Sequence, residues 1–208
     1  MKKLLAILIC TIMLFSLTSC AKHEIKNIFE LSVIDCDIEN YNAKVLKVYD
    51  AEEFMPSISD LEGYSSIKYS HKRTVGGITF FLPIFTTDVI SLVVEYPENI
   101  YEAKKTKALS EYDFITEVTY SKYNEGEINS PLEEFEYKGF TFKADINEEF
   151  STCPIKSFLL LGYKDDTHQI VYCYFYDFDL DYLATSDEDP LEKMYELMDE
   201  YFHSEDFE

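Results

Sequence analysis

The first twenty residues constrain this chain most, because they decide on which side of a membrane the rest of it folds. Lys2 and Lys3 precede an almost unbroken apolar run over residues 4–15. A basic start, a short apolar run and then small residues are the layout of a secretory signal peptide. The run is shorter than the roughly 20 apolar residues that a membrane-spanning helix needs. The sequence therefore predicts a signal peptide over residues 1–19.

The end of this segment carries a second signal. Leu17-Thr18-Ser19-Cys20 resembles the lipobox of bacterial lipoproteins, in which a cysteine follows an apolar residue and two small residues. The resemblance covers residues 1–20 alone. It implies that the Cys20 thiol takes a diacylglyceryl group and that the chain is cleaved ahead of Cys20. The lipid would then hold the protein at the extracytoplasmic face of a bacterial cell membrane, because two or more acyl chains give stable anchoring.

The net charge narrows the choice of partners. The chain has 18 Lys+Arg and 40 Asp+Glu, a net charge of −22. Loss of the predicted signal peptide removes two lysines and no acid, which leaves −24. Such a surface repels nucleic acid, so we expect no nucleic-acid partner. We expect instead that the partner is an unknown protein, peptide or basic ligand. The alternative is that the acidic surface only keeps an exported protein soluble.

After cleavage, residues 20–27 read as a lipidated tether and residues 28–208 as an acidic α+β domain. A hydrophobic content of 47% argues against disorder over most of this length. Cys36, Cys153 and Cys173 remain once Cys10 is removed and Cys20 is lipidated. If a disulfide forms, it is expected between Cys36 and either Cys153 or Cys173; the alternative is that all three are small buried thiols.

The first half of the domain alternates between strand and helix signals. β-branched residues predict a strand over 43–49, and an Asp50–Glu53 capping box predicts a short helix that Pro56 limits. Alternation predicts a hairpin that turns at 75–78, followed by a turn at 86–88 and a strand over 89–96 that is apolar on both faces. A helix follows from Pro97 to about Ser110, with acids at its start and lysines toward its end.

The second half repeats this order. We predict a strand over 114–120, a loop over 124–132, and alternating aromatic residues interrupted by a turn at Lys138-Gly139. A hairpin of 156–163 and 169–176 precedes an amphipathic helix that starts near Pro190. The predicted fold class is therefore α+β, a single antiparallel sheet with two or three helices packed on one face. Segments 78–110 and 156–203 suggest a ββα duplication, although identity between them is negligible and chance explains the order equally well.

A series of acids after the last predicted strand suggests a calcium site. Asp177, Asp179, Asp181 and Glu188 fall at positions 1, 3, 5 and 12 of an EF-hand-like loop, and oxygen ligands suit this cation. Tyr182 stands where the loop needs glycine, and a strand rather than a helix precedes it. The alternative is a solvated acidic face, and no other cofactor is expected.

Tyrosines on the last predicted strand suggest a second site. Tyr172, Tyr174 and Tyr176 share one face, because side chains alternate along a strand. If the helices cover only the other face, these rings form an open surface that could hold a peptide or stack on a glycan. The alternative is that they pack against neighbouring strands.

Catalytic motifs are scarce. The sequence has four histidines and no GxSxG, HExxH, Walker loop or paired Cys/His site. We therefore expect a lipid-anchored binding or interaction module of the cell envelope rather than an enzyme. The alternatives are a small extracytoplasmic hydrolase that uses two carboxylates and a calcium-binding surface protein.

Overall fold

A computed structural model of the protein describes residues 29–79, 82–122, 126–145, 157–177, 190–202 and 207. Within these residues the strands are β1 Phe29–Asp35, β2 Ser66–Thr79, β3 Leu82–Glu95, β4 Glu117–Lys122, β5 Gly126–Pro131, β6 Phe135–Tyr137, β7 Phe140–Asp145, β8 Ser157–Lys164 and β9 Gln169–Asp177. The helices are α1 Tyr41–Val45, α2 Ala51–Phe54, α3 Glu98–Ser110 and α4 Pro190–Tyr201. None of the described helices is long and apolar enough to cross a membrane.

Seven strands form one sheet in the order β1-β2-β3-β9-β8-β7-β6, and every neighbouring pair is antiparallel. β4 and β5 pair separately as a two-stranded ribbon. The predicted α+β class with a single antiparallel sheet is confirmed. The strand predicted over 89–96 is also confirmed as central, because β3 has β2 on one side and β9 on the other.

Helices cover both faces of the sheet, so the prediction that they pack on one face is wrong. α4 packs on the face that carries Val89 and Val93, together with the aromatic side chains of β6 and β7. Segment 41–61 and α3 pack on the opposite face, which carries Ile90 and Leu92. The physical reason lies in β3, β8 and β9, whose side chains are apolar in both directions and must be covered on both sides.

The order of two strands and a helix occurs twice, as β2-β3-α3 and as β8-β9-α4. β3 and β9 are antiparallel neighbours, so a half-turn about an axis perpendicular to the sheet would superpose the β2–β3 hairpin on the β8–β9 hairpin. Such a rotation does not exchange the two faces of the sheet. That rotation would put both helices on one face, whereas α3 and α4 lie on opposite faces. The two units therefore differ in hand, and the suggested ββα duplication is not a structural repeat.

One long hairpin replaces the two turns predicted around it. β2 continues through Gly76 and Gly77, where register shifts mark an irregularity, and it stays paired with β3 as far as Thr79 and Leu82. The glycines thus serve a bulge within a strand rather than a turn. β3 likewise runs unbroken through the turn predicted at 86–88. As a result both strands are 14 residues long.

Some of the other local predictions are confirmed and some are wrong. α3, α4, the β8–β9 hairpin and the turn at Lys138-Gly139 are confirmed, and both turn residues have positive φ, 49° and 81°. The strand predicted over 43–49 is wrong, because α1 and a turn occupy it. The loop predicted over 124–132 is also wrong where β5 forms. α2 begins after Asp50, but the Asp50 side chain makes no capping hydrogen bond.

Candidate functional site

A cleft of about 930 Å³ opens between segment 41–62 and the C-terminal half of α3. α1, α2 and the loop after α2 form one wall, and α3 with Tyr112 forms the other. This volume lies within the range of small-molecule and peptide-side-chain sites, which is roughly 300–1,000 Å³. The sequence did not predict the cleft, because the wall built from residues 43–49 read as a strand.

Side-chain hydrogen bonds hold the first wall together and join it to the second wall. Each of these bonds pairs a side chain with a backbone group of residues 54–58. The bonds are Tyr41 Oη donating to Pro56 O at 2.8 Å, Tyr112 Oη donating to Phe54 O at 2.7 Å, and Ile58 N donating to Asn42 Oδ1 at 3.1 Å. The loop is thus fixed at both ends, and the cleft is preformed.

Two tyrosines, Tyr41 and Tyr112, line the base of the cleft. Burial raises the pKa of both Tyr41 and Tyr112 above the ordinary value for tyrosine. Burial likewise raises the pKa of Tyr96, which borders a smaller cavity beside the cleft, to about 12. Protonated phenols donate hydrogen bonds, and those of Tyr41 and Tyr112 are directed at loop carbonyls. The base of the cleft is therefore an uncharged aromatic surface with its hydroxyls already engaged.

The rim of the cleft is charged, and the two walls differ in sign. The first wall carries four exposed carboxylates: Glu52, Glu53, Asp60 and Glu62. The second wall carries Lys104 and Lys107. Lys107 pairs with Glu111 at 3.4 Å, whereas Lys104 Nζ lies 5.7 Å from the centre of the Tyr96 ring. A ligand entering here meets carboxylates on one side and the Lys104 ammonium on the other.

The three tyrosines predicted as an open surface lie on the same sheet face as the cleft, and the expectation that they are exposed is wrong. Tyr172 is 3% exposed and Tyr174 is 0% exposed, because segment 41–61 covers them. The Tyr174 hydroxyl donates to the carbonyl of Tyr49, and burial raises its pKa. Tyr176 is partly buried against the Tyr49 ring. Tyr172 borders a small cavity beside the cleft. It therefore supports the cleft from the side of the sheet.

The predicted calcium ligands are only partly within the described residues. Asp177 is the last residue of β9, and Asp179, Asp181 and Glu188 lie outside the described residues. In the part of the chain that the structure describes, no group of three or more His, Cys, Asp or Glu side chains could hold a metal ion. The calcium site stays a prediction.

The predicted cysteine roles also fall only partly within the described residues. Cys20 and Cys153 lie outside the described residues, while Cys36 is exposed just past β1 and Cys173 is buried on β9. Cys173 lies opposite Ser91 of β3, and β2 separates β3 from β1. At about 4.8 Å per strand this places the two cysteines much farther apart than a disulfide spans. A Cys36–Cys173 disulfide is therefore wrong for this fold.

The sequence did not predict a buried hydrogen bond between His71 and Asp88 on the cleft face of the sheet. His71 Nε2 lies 2.7 Å from Asp88 Oδ1, and the two residues are 4% and 2% exposed. Arg73 Nε approaches the same oxygen at 3.8 Å from the solvent side. Asp88 was assigned to a turn, so its pairing with a residue of β2 had no signal in the sequence.

Comparison with models of known protein families, with curated protein sequences and with solved structures finds no match for this chain. The kind of ligand that fits the cleft must therefore be inferred from the residues that line it. Among the described residues it combines a preformed base, an acidic wall and a lysine facing that wall.

Proposed function

We propose that this protein is a lipid-anchored, extracytoplasmic binding protein of a bacterial cell envelope that receives a basic peptide segment in the cleft between segment 41–62 and α3. The preformed cleft, with its acidic wall, is the observation that carries the proposal. The anchor rests on the resemblance of Leu17-Thr18-Ser19-Cys20 to a lipobox.

The choice of a basic peptide follows from the lining. Lysine and arginine have long apolar stems and charged heads, so the stems suit the aromatic base and the heads suit the carboxylates of the rim. A peptide also carries carbonyl groups and a carboxyl terminus, which Lys104 can meet from the opposite wall. The net charge of −22 adds a long-range attraction for a basic partner and raises its association rate.

Reversal of two charges on the acidic wall is expected to weaken binding of a basic peptide. In the Glu52→Lys/Glu53→Lys variant, two attractions become two repulsions, so we expect the affinity for a lysine-rich decapeptide to fall about tenfold, which corresponds to about 1.4 kcal/mol. Fluorescence polarisation of the labelled peptide at constant ionic strength measures the change. A glutamate-rich decapeptide of equal length should bind neither form of the protein.

The matched control is Glu133→Lys/Glu200→Lys. These exposed acids belong to the side of the sheet covered by α4, and their reversal changes the net charge by the same amount. If the control weakens binding as much as the cleft variant, overall charge attracts the peptide and the cleft is not its site.

The anchor has a separate test. Cells that express the full chain and are grown with radiolabelled palmitate should label the wild-type protein, which should also partition into a detergent phase. Cys20→Ser should abolish both, because the thiol is the only attachment point that the lipobox resemblance implies. Equal labelling of the two forms would remove the anchor from the proposal, and the peptide measurements would stand by themselves.

A further inference from the structure

A small recess of about 30 Å³ adjoins the cleft. Five residues line both spaces, and Lys104 of α3 is one of them, so the recess lies against the second wall. Its remaining lining residues are at most 5% exposed and close it on the inner side; they are Leu61, Tyr96, Ala108 and Tyr172. We call this space the tyrosine recess.

Two tyrosine hydroxyls that border the recess have no hydrogen-bond partner. Tyr96 and Tyr172 are each 3% exposed, and among the described residues neither Oη makes a hydrogen bond. Tyr69 Oη is the only unpaired side-chain oxygen or nitrogen of a described, covered residue that is also sealed from solvent. The hydroxyls of Tyr96 and Tyr172 are therefore open to the space that they border. Buried polar groups nearly always have a partner, so two unpaired hydroxyls at one recess point to a polar ligand there.

The groups at the recess are hydrogen-bond donors. Burial raises the pKa of Tyr96 and of Tyr172 above the ordinary value for tyrosine, so both phenols are protonated at neutral pH. Lys104 Nζ lies 5.7 Å from the centre of the Tyr96 ring. In the part of the chain that the structure describes, no carboxylate lies within ion-pair distance of Lys104. The recess therefore offers an ammonium and two hydroxyls to an acceptor that the protein itself does not supply.

The other charges that line the recess do not oppose an anion strongly. Lys107 Nζ lies 3.4 Å from Glu111 Oε1, so these two charges offset each other. Asp60 is exposed, and water and salt screen its carboxylate. Lys104 is thus the one charge of the lining that is neither paired nor fully exposed, and it is positive.

We propose that the tyrosine recess binds the C-terminal carboxylate of the peptide in the cleft, with Lys104, Tyr96 and Tyr172 as its hydrogen-bond donors. This inference rests on the proposed function. A carboxylate has two oxygens that accept several hydrogen bonds, and its bond to an ammonium is charge-assisted. The recess exceeds the roughly 10–15 Å³ that one water molecule needs, but it has no room for a further residue of the peptide. The bound peptide therefore ends at the recess.

A chain terminus fits this arrangement better than an acidic side chain within the peptide does. A terminal carboxylate needs no acidic residue in the peptide, so every charged side chain of the bound segment can be basic and attracted to the acidic wall. An internal aspartate or glutamate would place a repelled charge next to that wall. It would also require room for the chain to continue on both sides of the recess.

Two forms of one peptide test the inference. A lysine-rich decapeptide with a fluorescent label at its N-terminus is prepared with a free C-terminal carboxylate and with a C-terminal amide. Fluorescence polarisation with the full-length protein at constant ionic strength measures both affinities, and we expect the carboxylate form to bind about tenfold more tightly. The amide form carries one more positive charge, so attraction to a protein of net charge −22 favours the amide. A preference for the carboxylate form therefore cannot come from overall charge.

Variants locate the preference in the recess. Lys104→Gln should reduce the ratio of the two affinities from about tenfold to about one, and Tyr172→Phe should reduce it about threefold. Lys68→Gln is the matched control, because Lys68 is exposed on the sheet face that carries Val93, away from the cleft, and its loss changes the net charge equally. It should leave the ratio near tenfold. Tyr96→Phe replaces Tyr172→Phe if the thermal transition shows that the latter does not fold.

The outcomes separate this inference from the proposed function. Equal binding of the two peptides by the wild-type protein overturns the inference, leaves the recess to water and keeps the cleft as a site for basic peptides. Binding of neither peptide overturns both. A ratio that persists in Lys104→Gln, or that Lys68→Gln lowers as much, also overturns the inference, because the carboxylate is then recognised elsewhere.

Discussion

Asp88→Ala is expected to lower the free energy of unfolding by about 1–3 kcal/mol, because it leaves His71 buried beside an empty space with no acceptor for its ring nitrogen. His71 and Asp88 are 4% and 2% exposed and lie 2.7 Å apart. Urea denaturation monitored by circular dichroism at pH 7 measures the loss.

Two further variants separate the loss of the hydrogen bond from simple loss of volume. Asp88→Asn keeps a hydrogen-bonding oxygen at the same position, so it should cost less than Asp88→Ala. His71→Leu/Asp88→Leu removes both polar groups and should recover a large part of the stability, since apolar replacement of both partners of a buried hydrogen bond can be nearly neutral. A loss below about 1 kcal/mol for Asp88→Ala would mean that the pair is solvated in solution.

Gly162→Ala is expected to cost about 3 kcal/mol, at the upper end of the range for overpacking a core. A Cβ at this position of β8 would lie 2.5 Å from Phe142 Cε1 and 2.7 Å from Val171 Cγ1. The Phe142 ring is itself packed against the rings of Phe135 and Phe207, so it has no room to swing aside. Urea denaturation again provides the measurement.

A smaller neighbour should rescue this variant. Phe142→Leu removes Cε1, the atom nearest the new methyl group, so Gly162→Ala/Phe142→Leu should be more stable than the sum of the two single changes predicts. Gly139→Ala is the matched control. It carries a backbone cost because Gly139 has φ of 81°, but its nearest neighbour is the flexible Lys164 side chain at 3.5 Å. Strict additivity at Gly162 and Phe142 would show that the clash is relieved by backbone movement.

Elements with a strong local signal were predictable from the sequence. The α4 helix has its proline in the first turn and an apolar stripe that places Met194 and Met198 against the sheet, both with 0% exposure. The β6–β7 turn was readable because Lys138-Gly139 interrupts a regular alternation of aromatic residues. In both cases the information lies within a few neighbouring residues.

Features that depend on distant parts of the chain were not predictable. Where β2 ends and β3 begins depends on the register of pairing along two long strands. The glycine pair at 76–77 is a good turn signal by itself, but it forms a bulge within β2. Residues 43–49 have strand-like composition but lie over the sheet, where Tyr41 and Val45 are buried as one face of a helix. The cleft follows from that packing, and so does the burial of Tyr172 and Tyr174.

The pairing of β3 with β9 has a consequence for how the chain acquires its structure. Each hairpin is local, but Val93 lies opposite Val171, so the two hairpins meet only through a contact between residues far apart in sequence. Closing so long a loop is entropically costly and slows folding. A chain threaded out of the cytoplasm from its N-terminus would expose the apolar faces of β3 until residue 177 has also crossed. If the chain is exported as proposed, β3 gains β9 as its second neighbour only after residue 177 has crossed, and premature release would leave the central strand as a target for aggregation or proteolysis.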